Sequence, residues 1–235
     1  MDTRKVAVIT GASQGIGAGL VEAYRTLGYA VVANSRSIAP SSDDLIVTVP
    51  GDISDPAVAE RVIATAVASF GRVDTLVNNA GIFIAKPFLD YTKDDFETAL
   101  AVNLGGFFHV TQKAVAHMSA QGSGHVVNIT TTLVENANSN VPSALASLTK
   151  GGTASVVKSL AIEFAAGGVR FNAVSPGIIQ TPLHAEETHA TYAALHPVGR
   201  MGTIDDVVRG VVYLEQAPFV TGEFLHVDGG QSAGN

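Results

Sequence analysis

The sequence predicts an α/β fold, a doubly wound parallel sheet of seven strands with helices on both faces, forming one domain over residues 1–235. Three observations support this fold. Short β-branched runs alternate with longer helix-like segments along the chain. The runs are almost continuously apolar, as burial of both sheet faces requires. No repeat, low-complexity segment or linker divides the chain.

The individual elements follow from local signals. Strands are expected at 5–10, 30–35, 45–49, 73–78, 125–130, 169–174 and 224–229, and helices at about 15–27, 56–69, 93–119, 143–166 and 204–215. Asp55 and Pro56 predict the start of the second helix, because Asp caps a helix and Pro fits its first turn. The pair Gly167 and Gly168 predicts the end of the fourth. The link 36–44 is too short and too rich in Pro and Ser to form a helix.

Composition excludes several classes of function. The net charge is -7 and no basic run occurs, so neither nucleic acid nor an anionic membrane is an expected partner. The chain has no cysteine, which excludes disulfides, thiol nucleophiles and thiolate metal sites. The sequence contains no apolar run long enough to span a membrane and no signal-peptide pattern. We therefore expect a cytoplasmic protein that acts on a small-molecule substrate and has no metal site.

A glycine-rich turn lies between the first strand and the first helix. In "VAVITGASQGIGAGLVEA", Gly11 permits the tight turn, Gly15 allows the backbone to approach a pyrophosphate, and Gly17 permits close helix packing. The helix N-terminus then offers free N–H groups and a positive dipole end to phosphates. This strand–turn–helix context predicts a dinucleotide site rather than a purely structural turn.

The end of the second strand indicates which dinucleotide binds. Twenty residues after Gly15 the chain carries Ser35 and Arg36, where an NAD-preferring site would place Asp or Glu on the ribose 2′-hydroxyl. Arg offers a planar, permanently charged donor group to a 2′-phosphate. NADP(H) is therefore favoured over NAD(H). The alternative is that Arg36 is an ordinary solvated loop charge.

Six ordered segments of the chain resemble motifs of the short-chain dehydrogenase/reductase family. They are "TGASQGIG" (10–17), "GDIS" (51–54), "NNAG" (78–81), "VNLGG" (102–106), "SPGIIQTP" (175–182) and "VTGEFLHVDGG" (220–230). The resemblance implies the strand order 3-2-1-4-5-6-7 and a segment at about 180–200 that covers the substrate.

The same resemblance implies further cofactor contacts. Lys150 would hold the hydroxyls of the nicotinamide ribose. The other implied contacts are, along the chain, Ser13, Gln14 and Ile16 at the turn, Asp52 and Ile53 at the adenine, Asn79, Ala80 and Gly81 along the ribose, and Pro176, Gly177, Ile179 and Thr181 at the nicotinamide.

The catalytic positions match the family only in part. The family uses Asn, Ser, Tyr and Lys, and this chain carries Asn103, Thr131, Ala146 and Lys150 at those positions. The Tyr would give or take the proton as hydride moves, and Ala146 offers none. The segment 132–141 is also about two residues longer than the resemblance predicts. We therefore expect a rebuilt site in which Asn103, Thr131 and Lys150 remain as the catalytic scaffold.

Three replacements for the phenol remain open. Lys150, or a water held with Asn103, could protonate the substrate oxygen. A group on the covering segment could do so, and the candidates there are His184, His189, Tyr192 and His196. The substrate could also be an already cationic acceptor that needs no acid. Glu135 is interpreted as a surface carboxylate.

These observations favour an NADP(H)-dependent oxidoreductase with a non-standard proton donor, acting on a small carbonyl, imine or related compound. One alternative is a catalytically silent NADP(H)-binding sensor. Another is a non-redox enzyme that reuses the pocket. The helices 93–119 and 143–166 are extensively apolar, and in the resembling family they pair across a twofold axis. A homodimer or homotetramer is expected.

Overall fold

The computed structural model describes residues 4–182 and 184–234. Seven parallel strands form one sheet in the order β3-β2-β1-β4-β5-β6-β7, which confirms the predicted fold class and strand order. The strands are β1 (Val6–Thr10), β2 (Ala30–Ser35), β3 (Ile46–Pro50), β4 (Thr75–Asn78), β5 (Gly124–Ile129), β6 (Val169–Pro176) and β7 (Phe224–Val227). The single-domain prediction also covered residues 1–3, Leu183 and Asn235, which lie outside the described residues.

Helices pack on both faces of the sheet. They are α1 (Gly15–Thr26), α2 (Pro56–Phe70), α3 (Lys93–Ala99), α4 (Phe107–Gln121), α5 (Ala144–Phe164), α6 (His189–Ala193) and α7 (Ile204–Gln216). One buried apolar cluster lies under α2, α4 and α5, and a second lies under α1 and α7. No described helix is both long and apolar enough to cross a membrane.

The predicted boundaries hold to within a few residues, with one internal difference. The expected helix 93–119 consists of α3, a π-helical segment (Leu100–Gly106) and α4, and it runs on to Gln121. Short 3-10 turns at Phe88–Asp90, Thr132–Val134, Ala165–Gly167 and Glu186–Thr188, together with α6, were not predicted. Segments of three to five residues carry too little hydrophobic periodicity to be recognised from sequence.

The predicted helix ends are confirmed. The carboxylate of Asp55 accepts a hydrogen bond from the backbone N–H of Ala57 at 2.8 Å, and Pro56 occupies the first turn of α2. After α5, Gly168 adopts a left-handed conformation with φ 75° and terminates the helical turn. The segment between β2 and β3 contains no helix.

A buried carboxylate ties the amino end of the sheet together. Glu215 on α7 accepts hydrogen bonds from the hydroxyls of Tyr24, Tyr29 and Thr75 at 3.1, 2.8 and 3.0 Å, and from Nδ1 of His125 at 2.8 Å. Burial alone would raise the pKa of this carboxyl, but the hydrogen bonds, the strongest from His125, lower it to about 2. This network joins α1, α7, β4 and β5 at the end of the sheet opposite the functional cleft.

Strand order positions that cleft. From β1 the chain winds outward through β2 and β3, and then returns to β4 on the other side of β1. Loops that leave β1 and β4 therefore diverge and open a crevice at their carboxyl ends, where ligands bind in open α/β sheets.

Candidate cofactor and active site

A cleft of about 530 Å³ crosses the carboxyl ends of the strands. Its volume lies within the range of about 300–1,000 Å³ that is typical of ligand and cofactor sites. Among the predicted cofactor residues, only Gly17 does not line it. Those that do are Gly11, Ser13, Gln14, Gly15, Ile16, Ser35, Arg36, Asp52, Ile53, Asn79, Ala80, Gly81, Lys150, Pro176, Gly177, Ile179 and Thr181.

Steric limits at the glycine turn explain its composition. Gly11 and Gly15 have positive φ values of 65° and 57°, which side chains disfavour. A Cβ at Gly17 would lie 2.1 Å from the carbonyl oxygen of Gly11, so this position admits only glycine. No side chain caps α1 at Gln14, and the first N–H groups of the helix therefore face the cleft without a side-chain partner.

Asn79 fastens the glycine turn to β4. Its side-chain amide donates to the carbonyls of Thr10 and Gly11 at 3.0 and 3.1 Å, and the N–H of Ala80 donates to the Thr10 hydroxyl at 3.0 Å. Both amide protons of Asn79 therefore hold the turn. Its expected contact with the ribose remains a prediction.

The end of the cleft at which the adenosine is expected carries the cation Arg36. The hydroxyls of Ser13 and Ser35 lie 2.9 Å apart across the mouth of the turn. Arg36 is exposed beside them, and its guanidinium forms no ion pair with any residue in the described part of the chain. Asp52 accepts a hydrogen bond from the N–H of Ser54 at 3.0 Å, and Ile53 is buried next to it.

The loop after β6 closes over the opposite end. Gly177 lies so near His196 that a Cβ there would approach Nε2 of the imidazole to 2.6 Å. Ile179 is buried, and Thr181 lies 3.5 Å from the position a Cβ would take on Gly15. The expected nicotinamide loop and the glycine turn thus face one another across the cleft.

Lys150 projects from α5 into the centre of the cleft. Its Nζ donates to the carbonyls of Ile129 and Thr130 at 3.4 and 3.2 Å. It makes no ion pair with any carboxylate of residues 4–182 or 184–234. Burial lowers the pKa of this ammonium to about 8. Lys150 therefore exchanges protons near neutral pH.

Asn103 is placed by the π-helical segment and is only 6% exposed. Its Oδ1 accepts from the N–H of Ile82 at 2.8 Å, while Nδ2 donates to the Ile82 carbonyl and to the Thr149 hydroxyl at 3.1 and 2.9 Å. Both amide protons are therefore engaged by protein groups. Asn103 fixes the loop after β4 against α5 and lines a small cavity of about 20 Å³ behind Lys150.

Thr131 lies at the end of β5 and lines the cleft. Its Oγ1 accepts a long hydrogen bond, 3.4 Å, from the N–H of Leu133 and so caps the short turn that follows. The hydroxyl proton remains available to a substrate oxygen.

The space of the missing phenol is a packed wall. Ala146 is 2% exposed and does not line the cleft. The cleft surface in this corner comes instead from Leu133, Val141 and Pro142. The hydroxyl of Ser147, next to Ala146, donates to the Leu133 carbonyl at 3.0 Å and so ties α5 to the segment 132–141.

The covering segment places its four candidate donors differently. His184 and Tyr192 line the cleft, with their rings 5.2 Å apart in an edge-to-face arrangement. His196 is 3% exposed, and both of its nitrogens are used: Nδ1 donates to the Tyr192 carbonyl at 2.8 Å and Nε2 accepts from the Ile178 N–H at 3.0 Å. His189 does not line the cleft, and its Nε2 donates to the His184 carbonyl at 3.2 Å.

Other residues of the site have no recognisable sequence signal. Gln231, near the C-terminus, lines the cleft and accepts a hydrogen bond from the Thr132 hydroxyl at 3.2 Å. Asn136 donates to the carbonyl of Ser232 at 3.0 Å. The C-terminal tail thereby supports the lengthened segment, a contact between residues almost a hundred positions apart. Glu135 is exposed and lies 3.0 Å from His226, which confirms its interpretation as a surface carboxylate.

Comparison with known proteins agrees with this geometry. Residues 11–232 match the family model described as enoyl-(acyl carrier protein) reductase. The chain is 36% identical over 247 residues to the cis-4-hydroxycyclohexanecarboxylate dehydrogenase of Sinomonas cyclohexanicum, covering 97% of each protein. It matches the solved structure of ElxO with NADP bound at a TM-score of 0.92 and 30% identity, covering 99% of this chain and 100% of that one. It matches the 3-ketoacyl-(acyl-carrier-protein) reductase of Brucella melitensis complexed with NADH at a TM-score of 0.90 and 33% identity, covering 97% and 98%.

The family model covers residues 11–232, and the strand order of the sheet is the one that the family resemblance implies. The chain belongs to the short-chain dehydrogenase/reductase family.

Proposed function

We propose that the protein is an NADP(H)-dependent oxidoreductase with a non-standard proton donor that acts on a small carbonyl, imine or related compound. One observation carries this proposal: a single cleft joins the glycine turn, the unpaired Arg36, and the pair Thr131 and Lys150. The relatives named above are a dehydrogenase and a reductase.

The cleft fits a phosphorylated dinucleotide. Missing Cβ atoms at Gly11 and Gly15 leave the backbone open to the diphosphate, and the uncapped N-terminus of α1 offers N–H donors. Arg36 supplies a charged donor group where a 2′-phosphate would lie, and neither of its neighbours, Ser35 and Ser37, is acidic. NADP is bound in ElxO and NADH in the Brucella melitensis reductase, so NADP(H) is the proposed cofactor and NAD(H) its weaker alternative.

The residues of the chain then have separable tasks. The bound nicotinamide supplies or accepts hydride. Lys150 binds the adjoining ribose hydroxyls and places a positive charge near the alkoxide that forms on the substrate. Thr131 donates its free proton to the substrate oxygen and orients the carbonyl. We propose that residues of the segment 180–200 cover the substrate and exclude water; Leu183 within it lies outside the described residues.

The absence of a phenol at Ala146 favours a second candidate function, an NADP(H)-binding sensor without turnover. The corner at Ala146 is walled by apolar side chains and holds no phenol. Loss of a positioned acid typically costs about 10²–10⁴-fold in rate. A silent NADP(H)-binding sensor would retain the cofactor contacts and lack turnover.

Two measurements separate these functions. Fluorescence titration gives the Kd values of NADPH and NADH, and NADPH oxidation is followed with a panel of aldehydes, ketones and imines. Turnover on a member of the panel supports the oxidoreductase. Stoichiometric binding with no turnover on any member supports the sensor. Product formation without a change in nicotinamide absorbance indicates a non-redox enzyme.

Cofactor preference is tested with Arg36→Ala. A hydrogen bond to a charged group is worth about 1.5–3 kcal/mol, so NADP(H) binding should weaken by roughly 10- to 150-fold while NAD(H) binding changes little. Arg209→Ala on α7 is the control, because Arg209 pairs with Asp205 away from the cleft. Equal losses for both dinucleotides would show that Arg36 does not contact a 2′-phosphate.

We also propose that the chain forms a homodimer or homotetramer through the helices at 93–119 and 143–166. Large apolar side chains stand exposed on these helices, namely Phe96, Phe108, Leu148 and Ile162. Apolar side chains that join into one large exposed patch mark protein–protein interfaces.

A further inference from the structure

We propose that His184 is the proton donor that replaces the missing phenol, and that Tyr192 positions it by ring contact. This inference rests on the proposed oxidoreductase function and assigns a catalytic role at the same cleft. It follows from a comparison of every group that could give a proton there.

Geometry removes most of the candidates. Both ring nitrogens of His196 form hydrogen bonds to backbone groups, the N–H of Ile178 and the carbonyl of Tyr192. His189 stands behind His184 and does not reach the cleft. The amide protons of Asn103 are held by Ile82 and Thr149. Lys150, His184 and Tyr192 remain among the cleft-lining residues that the structure describes.

His184 is held next to the expected nicotinamide loop. Its backbone N–H donates to the carbonyl of Thr181, a residue of that loop, at 3.0 Å. The His189 side chain fixes the other side of this backbone by donating to the His184 carbonyl at 3.2 Å. The Tyr192 ring meets the imidazole at 5.2 Å with an interplanar angle of 70°. Neither imidazole nitrogen of His184 hydrogen-bonds to a protein group in residues 4–182 and 184–234, so both remain available to a substrate.

Lys150 is less well suited to the role. Its Nζ already donates to two backbone carbonyls, and the ribose hydroxyls are its proposed partners. His184 lines the same cleft from the segment after β6, and neither of its ring nitrogens is engaged by a described protein group. The groups near a protonated His184 are the Tyr192 ring and His189, and Lys150 lines the same cleft. Among the described lining residues the one carboxylate is Asp52, at the end where the adenosine is expected.

The proposed step balances as follows. The substrate carbonyl carbon accepts a hydride from NADPH, which is oxidised to NADP⁺, and the C=O π electrons move to the oxygen. His184 in its imidazolium form breaks an N–H bond and transfers that proton to the oxygen, which becomes a hydroxyl. Neutral His184 regains a proton from water, because its side chain is partly exposed at the mouth of the cleft. In the oxidative direction neutral His184 accepts the hydroxyl proton.

The pH dependence has a definite sign. Burial, and then the charge of His189, lower the pKa of His184 below its ordinary value of 6.5. Reduction needs the protonated imidazole, so kcat/KM should already be falling at pH 6.5 and should keep falling as the pH rises through neutrality. If Lys150 were the donor, the decline would instead centre on its pKa of about 8.

The variants His184→Gln and Tyr192→Phe test the assignment, with His117→Gln and Tyr213→Phe as exposed controls on α4 and α7. His184→Gln should lower kcat by about 10²-fold or more and abolish the decline of kcat/KM through neutral pH. Tyr192→Phe keeps the ring contact and should change kcat by less than about threefold, because the hydroxyl is not the donor. A large loss in Tyr192→Phe with little in His184→Gln would overturn the proposal, as would a pH decline that persists in His184→Gln.

A readout independent of turnover is histidine modification by diethyl pyrocarbonate, mapped by mass spectrometry. His184 should react in the free protein and be protected by NADP⁺, whereas His196 should react slowly because both its nitrogens are engaged. Rapid modification of His184 that NADP⁺ leaves unchanged would contradict the proposal. Failure of the proposed function appears differently, as NADPH binding without any turnover in the unaltered protein.

Discussion

Replacing Lys150 by Met should change how the stability of the free protein depends on pH. Met has a similar length and no charge, so the packing of the side chain is largely preserved. Burial lowers the pKa of Lys150 from 10.5 to about 8. At about 1.36 kcal/mol per pKa unit, burying the charged form costs at most ~3.4 kcal/mol. Since the side chain is partly exposed to the cleft, water screens it, and we expect roughly half of this value.

The sign follows from proton binding. Below about pH 8 both the folded and the unfolded chain carry the proton, and the full cost is present. As the pH rises from about 8 to 10.5, the folded protein loses the proton first, so the free energy of unfolding rises. Lys150→Met lacks this rise. Its stability relative to the unaltered protein should therefore decrease by about 1.5–2 kcal/mol between neutral pH and about pH 10.5.

The measurement is urea unfolding followed by circular dichroism, carried out at several pH values on both proteins. The effects of other titrating groups cancel when the free energy of unfolding of the variant is subtracted from that of the unaltered protein. Lys158→Met is the control, because Lys158 lies on the same helix but is exposed over the ring of Phe224. A difference between Lys150→Met and the unaltered protein that stays constant over this pH range would refute the reasoning.

Three further predictions concern the fold and the assembly. Glu215→Gln should lower the free energy of unfolding by about 2–4 kcal/mol at pH 7 in urea titrations, because the buried donors lose their charged acceptor. The exposed control Glu163→Gln should not lower it. The pKa of Glu215 is about 2 against an ordinary 4.5, so the unaltered protein should lose stability as the pH falls through that interval, and the variant should not. Gly17→Ala forces the turn to shift, at a cost of about 1–3 kcal/mol, and should weaken NADPH binding in fluorescence titrations, while Gly167→Ala, whose added Cβ meets open space, leaves it unchanged. Ile162→Glu, at a side chain that is 81% exposed on α5, should reduce the mass measured by light scattering towards the 24.2 kDa of one chain, and an unchanged mass would exclude this face as the interface.

Much of the fold was predictable because its signals are local. Continuous apolar runs identified the seven strands, and Asp55, Pro56 and Gly168 identified helix ends through backbone chemistry within a few residues. The π-helical segment that carries Asn103 was not predictable from local sequence. The Asn103 side chain is held by hydrogen bonds to Ile82, after β4, and to Thr149 on α5, which lie far from it along the chain. Strand order was predicted from family resemblance and not from the strands themselves.

The sequence by itself predicted the proposed cofactor half of the cleft. Gly11, Gly15 and Gly17 are explained by backbone conformation and close approach, and Arg36 by its charge, so residue type alone points to the proposed chemistry. Only the tertiary structure decided the catalytic half. Whether Ala146 faces the cleft, and which of His184, His189 and His196 reaches it, depends on packing between segments far apart in the chain. A histidine can line a cleft, hold the backbone through hydrogen bonds or donate a proton, and only the tertiary contacts distinguish these roles.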